Sequence, residues 1–197
     1  DLLRSDFNTK DFPNITVDIP TLAVLGTDVF DAFMGRNNLN NVAQSDVSDG
    51  DIAHAFQQAD LPFEILGDLN ALASQVQTPL AIRSSSLLED AAKEPFAGIY
   101  GTKMIPNNQP EISNRFQRLV EAIKFVYAST FSKSAKNYRK ATGHTILDEK
   151  MAVIIQEVIG RRHDIRFYPT ISGVARSYNF YPFCRAKPED GVVSLAL

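Results

Sequence analysis

The chain of 197 residues has one cysteine, three histidines and no excess of either charge. Each scarcity excludes something. Cys184 cannot form an internal disulfide, and it has no thiolate companions with which to hold zinc. His54, His144 and His163 are scattered without metal-ligand spacing, so they read as surface or structural histidines. Twenty Lys and Arg against 23 Asp and Glu leave a net charge of -3. That balance lacks the basic footprint of a nucleic-acid or anionic-membrane binder. No apolar run approaches the length needed to cross a bilayer. The start shows no charged-then-apolar leader. Together with the lone cysteine, this points to a reducing, cytoplasmic setting. Asp1 stands where a methionine would, and Gly191–Leu197 stops inside what reads as a buried strand, so the expectation is that the protein continues on both sides.

What is present suits a globular fold: 44% of residues are hydrophobic and 22% charged, enough for one domain or two small ones with a real core. One stretch organises the chain. A short apolar run, Leu80-Ala81-Ile82, delivers Arg83, Ser84, Ser85 and Ser86, followed by the acidic pair Glu89 and Asp90. A small-residue turn, Phe96-Ala97-Gly98, comes next. A guanidinium fork beside hydroxyls and free backbone N–H groups is what a phosphate needs, because each can donate to its oxygens. At a strand end, these groups would occupy the usual crevice of an α/β sheet. The plain alternative pairs Arg83 with Glu89 or Asp90 and leaves the serines to cap a helix.

Taken in order, Ile15, Val17 and Ile19 alternate as a half-buried strand, and Leu22–Leu25 is a second apolar run. Thr27 reads as an N-cap for a helix stopping near Gly35. Residues 37–48 read as a loop. Ser48 and Asp51 form a capping-box pattern that opens a helix through Ile52, Phe56 and Ala59. Pro62 starts the next helix, which Gln77-Thr78-Pro79 breaks before the strand Leu80–Ile82. After a strand over 103–105, a strong amphipathic helix carries Ile112, Phe116, Leu119, Ile123, Val126 and Tyr127 on one face. Ser132 caps another helix that Gly143 ends. Its Lys133, Lys136, Arg139 and Lys140 read as a solvated face. Met151–Ile155 reads as a buried strand, Arg161–Asp164 as a basic turn, and 165–171, 173–177 and 192–197 as further strands.

The order Ala81-Ile82-Arg83-Ser84-Ser85-Ser86-Leu87-Leu88-Glu89-Asp90, with Pro95-Phe96-Ala97-Gly98 after it, resembles the nucleotide-binding domain of the phosphoenolpyruvate synthase and pyruvate phosphate dikinase family. Four other stretches resemble that family in its order: residues 19–34, 127–143 (Tyr-Ala-Ser-Thr-Phe through Tyr-Arg-Lys-Ala-Thr-Gly), 151–160 (Met-Ala-Val-Ile-Ile-Gln-Glu-Val-Ile-Gly) and 171–177 (Ile-Ser-Gly-Val-Ala-Arg-Ser). Residues 189–197 are similar to the segment that proceeds, in the family, to Gly-Leu-Gly.

The resemblance implies an α+β, ATP-grasp fold, with ATP lying between two lobes. Residues 1–150 would be the helix-rich first lobe, and 151–197 the strand-rich start of the second. It implies an ATP-dependent phosphotransferase that passes phosphoryl from ATP to a histidine on a separate swivelling domain, and thence to pyruvate on a third. Arg83 would contact the transferring phosphates, with Ser84, Ser85 and Ser86 as further donors. Glu89 and Asp90 would orient Arg83 or its loop, with magnesium binding as the alternative. Backbone groups of Gln156, Glu157 and Val158 would read the adenine edge, unless these residues are ordinary paired strand. Ser172 and Gly173 would form a turn over the phosphates. The Mg2+ ligands and the family's Gly-Gly-Lys loop would lie outside this chain, which is expected to be inactive alone. Leu87 and Arg176 depart from the family pattern, and they keep open a non-catalytic nucleotide-binding or regulatory module.

Overall fold

A computed structural model of the chain describes residues 13–89, 98–143 and 149–196. It divides into two compact units, Asp1–Val158 and Ile159–Leu197. The sequence reading places its boundary at residue 150. The structure's division falls after Val158, because the strand between those positions is an inner strand of the first unit's sheet.

Among the described residues, the first unit carries four strands: Leu22–Leu25 (β1), Leu80–Ser85 (β2), Thr102–Ile105 (β3) and Ala152–Glu157 (β4). Their order is β1-β4-β2-β3, and every neighbouring pair is antiparallel. Successive side chains point to opposite faces, and the register aligns them across the sheet. Leu80, Ile82, Ile105, Val153 and Ile155 are buried on one face. On the other stand Ala81, Arg83, Met104, Ile154, Gln156 and Val24, which the cross-strand partners place together.

Among the described residues, six helices belong to this unit: Thr27–Arg36 (α1), Asn40–Gln44 (α2), Asp49–Gln58 (α3), Phe63–Gln75 (α4), Ile112–Ser129 (α5) and Lys133–Thr142 (α6). Their ends follow local chemistry. Ser48 Oγ accepts from Asp51 N, and Asp51 reaches back to Ser48 N, closing the anticipated capping box. Ser132 Oγ accepts from Ala135 N, and Gly143 ends α6 at φ 74°, a left-handed conformation that glycine adopts without a Cβ clash. The amphipathic face of α5 buries Leu119, Ile123, Val126 and Tyr127. Its Tyr127 ring meets Phe30 of α1 edge-on at 5.1 Å, and Phe33 lies 5.8 Å from Phe56 of α3. These aromatics are core, worth about 0.5–1.5 kcal/mol per ring pair beyond their buried area.

Several local expectations are corrected. Residues 15–20 form no strand; Ile15 and Ile19 are exposed. An alternating pattern makes a strand only when a neighbour completes its ladder, and none does so among the described residues. The short helix α2 interrupts the expected loop. Gly26, not Thr27, is the N-cap of α1. Arg139 is not on a solvated face: it is 1% exposed. It lies four residues after buried Ala135, on the side of α6 turned inward.

The second unit holds two antiparallel ladders. Arg161–His163 (β5) pairs with Arg166–Tyr168 (β6), and Ser172–Arg176 (β7) pairs with Val192–Ala196 (β8). The expected basic turn at 161–164 is thus largely a strand, with Asp164 turning at φ 54°. β8 is exposed along its length, not buried, since its apolar run has a ladder partner but no layer over it among the described residues of this unit. Among all described residues, no helix is long and apolar enough to cross a membrane.

Candidate functional site

β2 decides where the Arg-Ser-Ser-Ser groups point. Leu80 and Ile82 anchor its inner face, so the period of two turns Arg83 and Ser85 to the open face and Ser84 to the covered one. Arg83 is exposed, and its Nη1 donates to Gln156 Oε1 at 3.2 Å. It makes no ion pair with Glu89. That carboxylate is occupied: one oxygen accepts from Ser84 Oγ at 2.9 Å, and the other from Ser86 N at 3.1 Å. In return, Glu89 N donates to Ser86 Oγ at 3.4 Å. Glu89 therefore braces the turn after β2. Asp90 lies outside the described residues, as do the Phe-Ala positions of the motif.

This geometry revises the expected donor set. The crevice of a parallel α/β sheet is absent, since the sheet is antiparallel and Arg83 stands within a strand, on its open face. Ser84 Oγ and Ser86 N already serve Glu89. The Ser85 hydroxyl carries no hydrogen bond among the described residues, so of the Arg-Ser-Ser-Ser groups Arg83 and Ser85 are the side-chain donors on the open face. Around them the same face is aliphatic: Leu22, Val24 and Met104 are about half exposed. Apolar side chains beside one neutral-partnered guanidinium suit a ligand with a flat apolar body and an anionic end.

Gln156 belongs to this face through its side chain. Glu157 and Val158 do not offer their N–H groups: Glu157 N donates to Thr21 O at 3.0 Å, and Val158 N to Pro79 O at 2.9 Å. At those two N–H groups, ordinary strand-end pairing holds, and neither is available to read a base edge. In the second unit, Ser172 and Gly173 open β7. A Cβ on Gly173 would sit 2.4 Å from Ser194 O, so the close β7–β8 approach itself requires this glycine.

Glu89 fits a brace better than a magnesium ligand, because both its oxygens are occupied. Among the described residues, no group of three or more His, Cys, Asp and Glu could hold a metal ion. Sequence reasoning missed Tyr100 and Glu149. Both are buried, and burial raises both pKa values: the Tyr100 phenol's, with the Glu149 charge adding to it, and the Glu149 carboxyl's, against the hydroxyls of Ser86 and Tyr100. Arg139 completes that group. Only the four-residue spacing from Ala135 to Arg139 hinted at its burial.

An open sheet face presenting one arginine, next to a carboxylate-braced turn, defines a candidate phosphate-binding module. The chain belongs to the family described as pyruvate phosphate dikinase, AMP/ATP-binding domain, whose model matches residues 7–196. Its ligand class is therefore an adenine nucleotide, and ATP is the supported one. Among curated relatives, the "Uncharacterized phosphotransferase YvkC" of Bacillus subtilis (strain 168) is 26% identical over 141 residues. The match covers 72% of this chain but 16% of that protein, so the chain spans a small part of this relative's length.

Proposed function

We propose that this chain is the ATP-binding part of a phosphoenolpyruvate synthase-like phosphotransferase with an ATP-grasp arrangement. In it, phosphoryl passes from ATP to a histidine on a separate swivelling domain and on to pyruvate. One observation carries the reading: Arg83, whose hydrogen-bond partner among the described residues is the neutral Gln156, stands beside Ser85 on an open, largely aliphatic sheet face. No carboxylate among the described residues pairs with it, which leaves its charge for the phosphates during transfer. Gln156 would hold the guanidinium when no nucleotide is present. Ser84, Ser86 and Glu89 would keep β2 and its turn in place. Ser172 and Gly173 would bind nucleotide, and Asp90 would support the turn with Glu89. Catalytic Mg2+ would be held by residues outside this chain, in keeping with the occupied Glu89. The setting we propose is cytoplasmic.

A second reading, a nucleotide-binding regulatory module without transfer chemistry, draws on Leu87, 92% exposed at a motif position, and on Arg176. The whole protein incubated with ATP labelled on its γ-phosphate separates the two. Acid-labile phosphohistidine is expected from the phosphotransferase. Nucleotide binding without label transfer would favour the module, and no binding at all would overturn both.

A further inference from the structure

Arg83 and Gln156 meet diagonally across two strands. Arg83 stands opposite Ile154 in the β2–β4 register, and Gln156 opposite Ala81, so both lie on the open face within reach of long side chains. A guanidinium only donates, so the Gln156 amide turns its oxygen towards Arg83, and Nη1 reaches Oε1 at 3.2 Å. A carboxylate stands close by in sequence on each strand's side, yet both are engaged elsewhere. Glu89 takes Ser84 Oγ and Ser86 N. Glu157, the residue after Gln156, projects to the other face and accepts from Thr78 Oγ1 at 3.2 Å. A neutral glutamine thus occupies the β4 position whose side chain meets Arg83. One amide oxygen engages part of the guanidinium fork and leaves its other donors for a ligand. An exposed arginine with no such partner has its rotamers to lose when a ligand orders it, and that loss weakens binding.

We propose that Gln156 is a positioning residue for Arg83, and that its neutrality sets the affinity of the site: the amide orients the guanidinium before nucleotide arrives, without discharging it. A carboxylate in the same place would orient Arg83 as well, but it would compete with the phosphates for the charge. The assignment rests on the reading that Arg83 meets the phosphates of the nucleotide, and it gives the Gln156 side chain no contact with the nucleotide of its own.

The test uses the whole protein, with a Kd for Mg-ATP measured through a double-mutant cycle and nitrogen relaxation of the Arg83 Nε–H measured without nucleotide. Arg83 is exposed and Gln156 half-buried, so neither replacement empties the core. Gln156→Leu removes the acceptor. It should make the guanidinium more mobile and raise the Kd about fivefold, the cost of ordering one long side chain. In an Arg83→Met background the same replacement should change the Kd by less than about twofold, because no guanidinium remains to orient. Gln156→Glu should hold Arg83 as still as the parent does and yet raise the Kd at least about tenfold. Its excess over the leucine variant should fade as salt is added. A leucine replacement that weakens ATP equally in both backgrounds would overturn the proposal, since Gln156 would then touch the nucleotide itself. So would a leucine variant with the parent's Kd where Arg83→Met binds more weakly, or a glutamate variant that binds as tightly as the parent. Arg83→Met with the parent's Kd would defeat the nucleotide reading instead, while the relaxation data would still decide whether Gln156 holds Arg83.

Discussion

Replacing Arg83 by methionine tests the site most directly, because it keeps the aliphatic stem and removes only the guanidinium. The side chain is exposed, and its protein partner is the neutral Gln156 at 3.2 Å. Its loss should therefore change unfolding free energy by no more than about 0.5 kcal/mol. Binding should respond differently. A hydrogen bond to a charged group contributes about 1.5–3 kcal/mol, which corresponds to a roughly 10- to 150-fold weaker Kd for ATP. Stabilisation by ligand gives a second readout. At ATP equal to a hundred times the parent Kd, the parent gains about 2.7 kcal/mol, while a variant weakened thirtyfold gains only about 0.9 kcal/mol. Isothermal titration of the whole protein, paired with unfolding with and without ATP, supplies both values. A methionine variant with the parent's Kd would refute the phosphate role of Arg83. A variant that lost several kcal/mol without nucleotide would refute the claim that Arg83 is structurally idle.

Four further outcomes follow from particular residues. Ser48→Ala opens the capping box of α3 and should cost about 1 kcal/mol in chemical denaturation. Phe56→Ala empties a fully buried position packed against Phe33 and Phe131, and should cost about 3–5 kcal/mol by the same measurement. Gly143→Ala forces a Cβ into the left-handed end of α6 at φ 74° and should cost about 1–2 kcal/mol. Burial raises the Glu149 pKa above its unfolded value, so the folded state binds that proton more tightly. The associated stability is present below the unfolded carboxyl pKa and is lost as pH rises through the folded one. Glu149→Gln lacks this loss, so its stability relative to the parent should improve as pH rises above the ordinary carboxyl range. A difference independent of pH would show that Glu149 does not titrate in that way.

Signals that act within one helical turn or one strand were legible in the sequence by itself. The Ser48–Asp51 box, the stop at Gly143, Pro62 ahead of α4 and the apolar stripe of α5 all appear where their residues placed them, since caps and periodicity depend on neighbours three or four positions away. The order of Arg83, the serines and Glu89 also carried the family. Tertiary structure alone decided the rest. Residues 15–19 alternate like a strand but find no ladder, and β8 is apolar yet uncovered. Pairing with β3 and β4 separated Arg83 and Ser85 from Ser84, although the serines are consecutive. Arg139 and Glu149 read as ordinary charged residues until α6 and the approach to β4 brought them to one buried end of the sheet. Strand pairing and burial are set by partners tens of residues away in the chain, and no local pattern encodes which partner arrives or which face it covers.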